Sequence, residues 1–336
     1  SAGIWLRLRV LNGAMIWNST SAFSMVYSVS GSQKASCSSL ASAPATVLYV
    51  DAAGSGDGRS WKSAFATIQQ AVAAAAAGQE IWVRAGTYRL TETILIDKSV
   101  ALYGGFSGNE RNKERRDSTL QTVLDASLLR SAAGSVPSAT TITGTGVVLN
   151  RFAFVSGGSS TTTVGGAVHA LPGSSYRLEH CRFERNEGNN GGGLYSDMAA
   201  GVVVNCVFKE NFARLSGGAI YSASSPSLLV VNCLFVNNRA GQTNSAIAGG
   251  GAVDVVGNGT EIYNCTFSGN TTVSSNSRAG GIYNAFANTV IQNCIIFGNT
   301  TYNRPQIHSL GQAPAVMQCN IDQPSFVDPY QSSNIS

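Results

Sequence analysis

Seven cysteines are the residues of this 336-residue chain whose spacing first invites chemistry. Six of them, Cys181, Cys206, Cys233, Cys265, Cys294 and Cys319, recur singly at near-regular intervals, while Cys37 stands apart. A tetrahedral metal centre draws on CxxC-type pairs, and a single Cys per interval provides none, so no metal and no cofactor are implied. A regular column of this kind reads as small, buried, apolar side chains. Stacked neighbours within it lie in disulfide reach, and an odd total leaves at least one thiol unpaired within a monomer.

The acids do not gather. The repeat region described below carries few, Glu179, Glu184, Glu187, Asp197, Glu210, Asp254 and Glu261, none of them at equivalent positions. Asp197 and Asp254 fall two repeats apart and out of register by one position. Glu179, His180 and Arg182 form a polar set that chance explains, so no catalytic residue is assigned. Gly54, Gly56 and Gly58 are spaced GxGxG rather than GxGxxG, with no strand–helix alternation after them, which argues against a dinucleotide loop. The loop also lacks the ligand pattern of an EF-hand. Sequons at Asn18, Asn258, Asn264, Asn270, Asn299 and Asn334 leave glycosylation open.

Composition narrows the partners. Charged residues are 12% of the chain, about half the usual share, and the net charge is only +4. The one basic cluster, Arg111, Lys113, Arg115 and Arg116, alternates with Glu110, Glu114 and Asp117 and reads as a solvated loop, so nucleic acid is not expected. No run of about 18 apolar residues is present, so a membrane-spanning helix is not expected. A neutral surface rich in hydroxyl and amide groups suits an extracellular or cell-surface protein.

The elements that position these residues follow from a repeat. Units open GGAVHA (165), GGGLYS (191), GGAIYS (217), GGAVDV (250), AGGIYN (279) and a degenerate PQIHSL (305). The first-strand apolar residue (Val168, Leu194, Ile220, Val253, Ile282, Ile307) precedes the unit's Cys by 12 or 13 residues every time. From that Cys to the next unit the gap varies from 13 to 20, so each unit has one constant stretch and one corner that tolerates insertion. That is the signature of a solenoid. Before each Cys stands His180, Asn205, Asn232, Asn264, Asn293 or Gln318. A left-handed bend there reverses the strand parity and turns both Cys and the following Phe183, Phe208, Phe235 and Phe267 inward. A second column, Asn186, Asn211, Asn238, Asn270 and Asn299, marks the next turn and is expected to hydrogen-bond up the stack. The expected fold is all-β: a right-handed parallel β-helix of about nine coils, closed at its N-terminal end by a helix over 61–77. Trp61, Phe65, Ile68 and Val72 share its apolar stripe, with Ser60 as N-cap and Gly78 as C-cap.

The GGAI…NCxFxxN repeats resemble those of secreted parallel β-helix proteins of the pectate-lyase-like fold, including the GGA-I and FxxN repeats of polymorphic outer-membrane proteins. The stretch from YVDAAGSGDG to TVLDAS is similar to the N-terminal cap and first coils of bacterial surface members. The tail NCIIFGN…QIHS…QCNID…PSFVDP is similar to their last coils before a C-terminal anchor. The resemblance covers about 47–330 and implies the fold. It also implies that cleavage of acidic polysaccharides on such a scaffold would use clustered carboxylates, often with calcium, which this chain lacks.

Two candidate surfaces remain. His169, Tyr195, Tyr221, Asp254, Tyr283 and His308 each follow the first-strand apolar residue, so alternation turns them outward as one stripe. The stripe is either a platform for sugars or a partner, or cross-coil stacking that stabilises the sheet. The second surface lies in residues 1–46, an apolar strand segment and linker preceding the helical domain at 47–336. Its Ile4, Trp5, Leu6, Leu8, Val10, Ile16 and Trp17 have no coil to join and make an assembly arm. The function expected is a non-enzymatic extracellular or surface structural protein, self-assembling head to tail or adhesive, with a second copy of itself as partner and surface glycans as a further one. The alternatives are a carbohydrate-active lyase or hydrolase and the passenger domain of an exported adhesin.

Overall fold

The computed structural model describes residues 47–130, 138–159, 164–242, 248–257, 259–274, 277–301, 306–311 and 313–322. The chain divides into two units, Ser1–Ala43 and Pro44–Ser336. The first unit lies outside the described residues, and with it Ile4, Trp5, Leu6, Leu8, Val10, Ile16 and Trp17.

One turn of the second unit illustrates the rest. Strand Ser175–Glu179 leads to Arg182–Glu184, then to Glu187–Asn190, then to Leu194–Asp197. These belong to walls of ten, nine, four and eight strands, and every pairing within a wall is parallel. The nine-stranded wall counts about nine turns. The second unit is an all-β, right-handed parallel β-helix.

The corners have a common cause. Arg151, His180, Asn205, Asn232, Asn264, Asn293 and Gln318 all sit at φ between 53° and 62°, bending the ten-stranded wall into the nine-stranded one. At the next corner the left-handed residues are Arg185, Glu210, Asn237, Gly269 and Gly298. The turn therefore falls one residue before the second Asn column, whose members are buried instead. Each Asn Nδ2 donates to the Oδ1 of the next, from Asn186 to Asn299, at 2.7–2.9 Å. The same Oδ1 also accepts the preceding Asn's backbone N–H, and each Nδ2 donates to a Phe carbonyl of the coil before. Gln306 ends the run by accepting from Asn299 at 2.7 Å. Every buried amide thus has its partners, as burial requires. Inside, Phe154, Phe183, Phe208, Phe235 and Phe267 stack with centroids 4.4–5.0 Å apart and planes within 9°.

The helix is shorter than its apolar pattern predicts. Trp61–Ser63 is a single 3-10 turn capped by Ser60, and the α-helix runs Ile68–Ala74 behind a Thr67–Gln70 capping box. Between them Phe65 is extended. Its N–H donates to Tyr49 O at 2.9 Å and its carbonyl accepts from Asp51 N–H at 3.0 Å, so strand Leu48–Val50 claims this backbone. Ile68, Ala71 and Val72 are buried in the core, whereas Trp61 packs on Tyr49 and Phe106. Gly78 turns at φ 84°, beyond a helix that has already ended at Ala75. The glycine loop serves this packing. A Cβ on Gly54 or Gly56 would stand 2.4 Å from the carbonyl oxygen of Ala64 or Ser63.

Candidate functional site

The eight-stranded wall carries the outer stripe in register: His169, Tyr195, Tyr221, Asp254, Tyr283 and His308 are consecutive Cα partners. The walls set their surroundings. Strands Glu187–Asn190 and Phe212–Ser216 precede a glycine corner (Gly191 and Gly217, φ 63° and 65°) that folds each coil tightly against the start of the next strand. A Cβ on Gly191 would lie 3.0 Å from the Tyr195 backbone nitrogen, which places the stripe in the crook of that corner.

Alternation turns these side chains out of the core, but it does not leave them open. Asp254, Tyr283 and His308 are buried, whereas His169, Tyr195 and Tyr221 are half-buried. The cover comes from the corner insertions, whose strands Ala248–Gly250 and Ser277–Ala279 pair with each other over the wall. Gly249 seats directly on Asp254; a Cβ there would fall 1.7 Å from Oδ2. Asp254 accepts from the Ser216 hydroxyl and the Gly250 N–H, and Ser216 Oγ in turn accepts the Gly249 N–H at 3.0 Å. Asp254 Oδ1 is buried without a hydrogen-bond partner among the described residues.

The aromatic members meet face to face up the stack: His169–Tyr195 at 4.9 Å and 18°, and Tyr283–His308 at 5.7 Å and 26°. Tyr195–Tyr221 is tilted at 5.3 Å and 50°. In the stacked pairs one face of each ring is taken by its neighbour, which leaves edges rather than open platforms toward solvent. Asp197 lies two positions along from Tyr195 on the same strand and the same face. Its offset from Asp254 is therefore two positions, not one. Two coils and two residues put the two backbones about 12 Å apart. Paired glycosidase carboxyls stand about 5–9.5 Å apart, and Asp254 is sealed besides.

Burial raises the Asp254 carboxyl to about 7, despite the hydrogen bonds it accepts. Burial and then the Asp197 charge raise the Tyr195 hydroxyl to about 12, and burial holds His169 below the usual histidine range. Among the described residues no three His, Cys, Asp or Glu side chains converge on a common point. The sequence pattern did not disclose Ser216, Gly249 or the Asp197–Tyr195 contact. Its one available signal was Gly249 itself, a glycine at the position before the unit opening where earlier units carry Val164, Asn190 and Ser216.

Comparison with known proteins bears on the fold. Residues 126–267 match the family model described as a right handed beta helix region. A rhamnogalacturonan lyase structure aligns over 82% of this chain and 74% of its own, at 15% identity and a TM-score of 0.51. The likeness is one of fold. A pectin methylesterase from Aspergillus niger aligns over 88% and 92% at 13% identity (TM-score 0.48), and pectate lyase Pel9A over 85% and 81% at 16% (TM-score 0.46). No curated protein sequence matches the chain significantly. No helix among the described residues is long and apolar enough to cross a membrane.

Proposed function

We propose that the protein is a non-enzymatic extracellular or cell-surface scaffold that associates head to tail with further copies of itself. The observation that carries this reading is where the exposed apolar side chains fall. Five of the eleven large ones among the described residues, Phe286, Ile295, Phe297, Leu310 and Met317, lie in the last turns. In the column of Phe297, earlier coils place Glu184, Lys209, Val236 and Ser268, and in that of Ile295, Arg182, Val207, Leu234 and Thr266. A mixed outer surface gives way to an apolar collar at one end, where Ile295 and Phe297 are 50% and 60% exposed. Helix Ile68–Ala74 in this reading caps the other end. The arm at 1–30 supplies the apolar strand that meets the collar of the next molecule. Strand ends of a parallel sheet recruit another chain unless covered, and a contact between unlike surfaces propagates.

The test is removal of residues 1–30, with sedimentation and negative-stain microscopy of both proteins. Assembly of the full chain that is lost on deletion, and lost again in a Phe297→Lys variant, is expected. A monomeric full chain, or assembly that ignores the deletion, ends this reading.

A second reading, a carbohydrate-active or glycan-binding helix, is favoured by one observation: a carboxyl raised to about 7 next to the half-buried Tyr221, whose column continues to the half-buried Tyr195 and His169. Perturbed acids of this kind cluster at functional sites. Release of product from pectin, alginate or other uronate-containing glycans, abolished by Asp254→Asn, would establish it against the first.

A further inference from the structure

The thiol column takes no part in the readings above. Its six cysteines are free, five buried and Cys319 half-buried in the last described turn. Cys294 and Cys319 occupy equivalent positions of adjacent coils, spaced about 4.8 Å. Each sulfur receives one backbone donor: Cys265 N–H on Cys294 Sγ and Cys294 N–H on Cys319 Sγ, both at 3.4 Å. The thiol protons rest on carbonyls, that of Cys294 against Gln292 O (3.3 Å) and Ile262 O (3.8 Å), that of Cys319 against Met317 O (3.3 Å) and Ile291 O (3.6 Å). Both sulfurs therefore hold an exchangeable proton and a donor that favours the thiolate once the proton leaves.

Two sulfurs one coil apart suit a particular kind of ion. Zinc asks for four ligands, and none converge here. A soft monovalent d10 cation selects thiolates and is satisfied by two collinear ones. Two metal–thiolate bonds laid end to end, each about 2.3 Å by the zinc gauge, span about 4.6 Å, close to the coil spacing. We propose that Cys294 and Cys319 form a two-coordinate site for a cation of the copper(I) class at the C-terminal end of the column. Two S–H bonds break, both protons pass to solvent, and two metal–sulfur bonds form with no change of oxidation state. The single net negative charge left on the pair faces the two N–H donors. Entry is from the Cys319 side, since the other thiols are buried.

The experiment uses the full chain with Cys37→Ser, reduced and free of oxygen, titrated against Cu(I) held by an excess of a chromophoric chelator. The expected result is uptake of one Cu(I) with release of two protons, and an X-ray absorption edge showing two sulfur neighbours. Cys294→Ser and Cys319→Ser should each weaken uptake by at least the roughly 100-fold that loss of an outer-shell partner reaches. Cys181→Ser, at the far end of the column, should leave it unchanged. Circular dichroism and melting check that each variant folds. Where one does not, the proton count and the absorption edge of the parent protein decide alone. No uptake against the chelator, release of one proton, or uptake that survives in a folded Cys294→Ser protein overturns the proposal.

Discussion

Asn238 shows how much one side chain carries in this fold. Its Oδ1 accepts the backbone N–H and the Nδ2 of Asn211, while its own Nδ2 serves Phe208 O and Asn270 Oδ1. Asn238→Ala strands several buried groups at once. Each unsatisfied group costs about 1–3 kcal/mol, so a loss of about 3 kcal/mol or more is expected in urea unfolding. Asp254 makes the opposite case, a buried acid that destabilises as it ionises. Its folded pKa of about 7 lies above the unfolded value near 3.8, so the native state holds a proton that the unfolded chain has released. Stability should therefore fall as pH rises from about 4 to about 7, by on the order of 1.4 kcal/mol per pH unit at most. Asp254→Asn should flatten that decline relative to the parent when both are unfolded at pH 5 and pH 8. An equal decline in the two proteins would assign the effect elsewhere.

At the scale of elements, the corners set the limits. The corner from the eight-stranded to the ten-stranded wall uses Gly257 at φ 90° and Gly311 at φ 87°, but Met198 at φ 45°, Ser224 at φ 47° and, bulkiest of all, Phe286 at φ 56°. A bulky side chain in the left-handed region costs about 1–2 kcal/mol, and this one is 67% exposed. Phe286→Gly should therefore hold or raise the melting temperature, with a gain of about 1 kcal/mol at most after the entropy that glycine adds to the unfolded chain. A clear destabilisation would show that the ring packs on something in solution. The coils themselves were legible in the residues. A constant 12–13 spacing and the residue before each Cys located two walls and the bend between them. The helix was less so, because periodicity cannot see that Leu48–Val50 takes the backbone of Phe65. The burial of Asp254 and Tyr283 was invisible for a similar reason. Alternation reports which way a side chain leaves its own strand, not that Gly249 and Ala279 come from insertions to cover it.

At the largest scale, tertiary hydrogen bonding among the described residues of the second unit runs mainly along one axis, coil to coil. That arrangement has a mechanical consequence. A force applied to the two ends of the domain loads each wall by peeling rather than by sliding, so the rungs open one at a time instead of sharing the strain. Successive cysteines are 25, 27, 32, 29 and 25 residues apart. At 3.3–3.6 Å per residue, each released coil lengthens the chain by roughly 80–110 Å. Single-molecule stretching should give a ladder of low-force steps whose lengths differ with the insertions, the longest belonging to the coil between Cys233 and Cys265. A single high-force rupture would mean that the walls yield together. If the steps appear, a surface anchored through this domain would pay out thread under load and retract when released, a shock absorber with graduated travel.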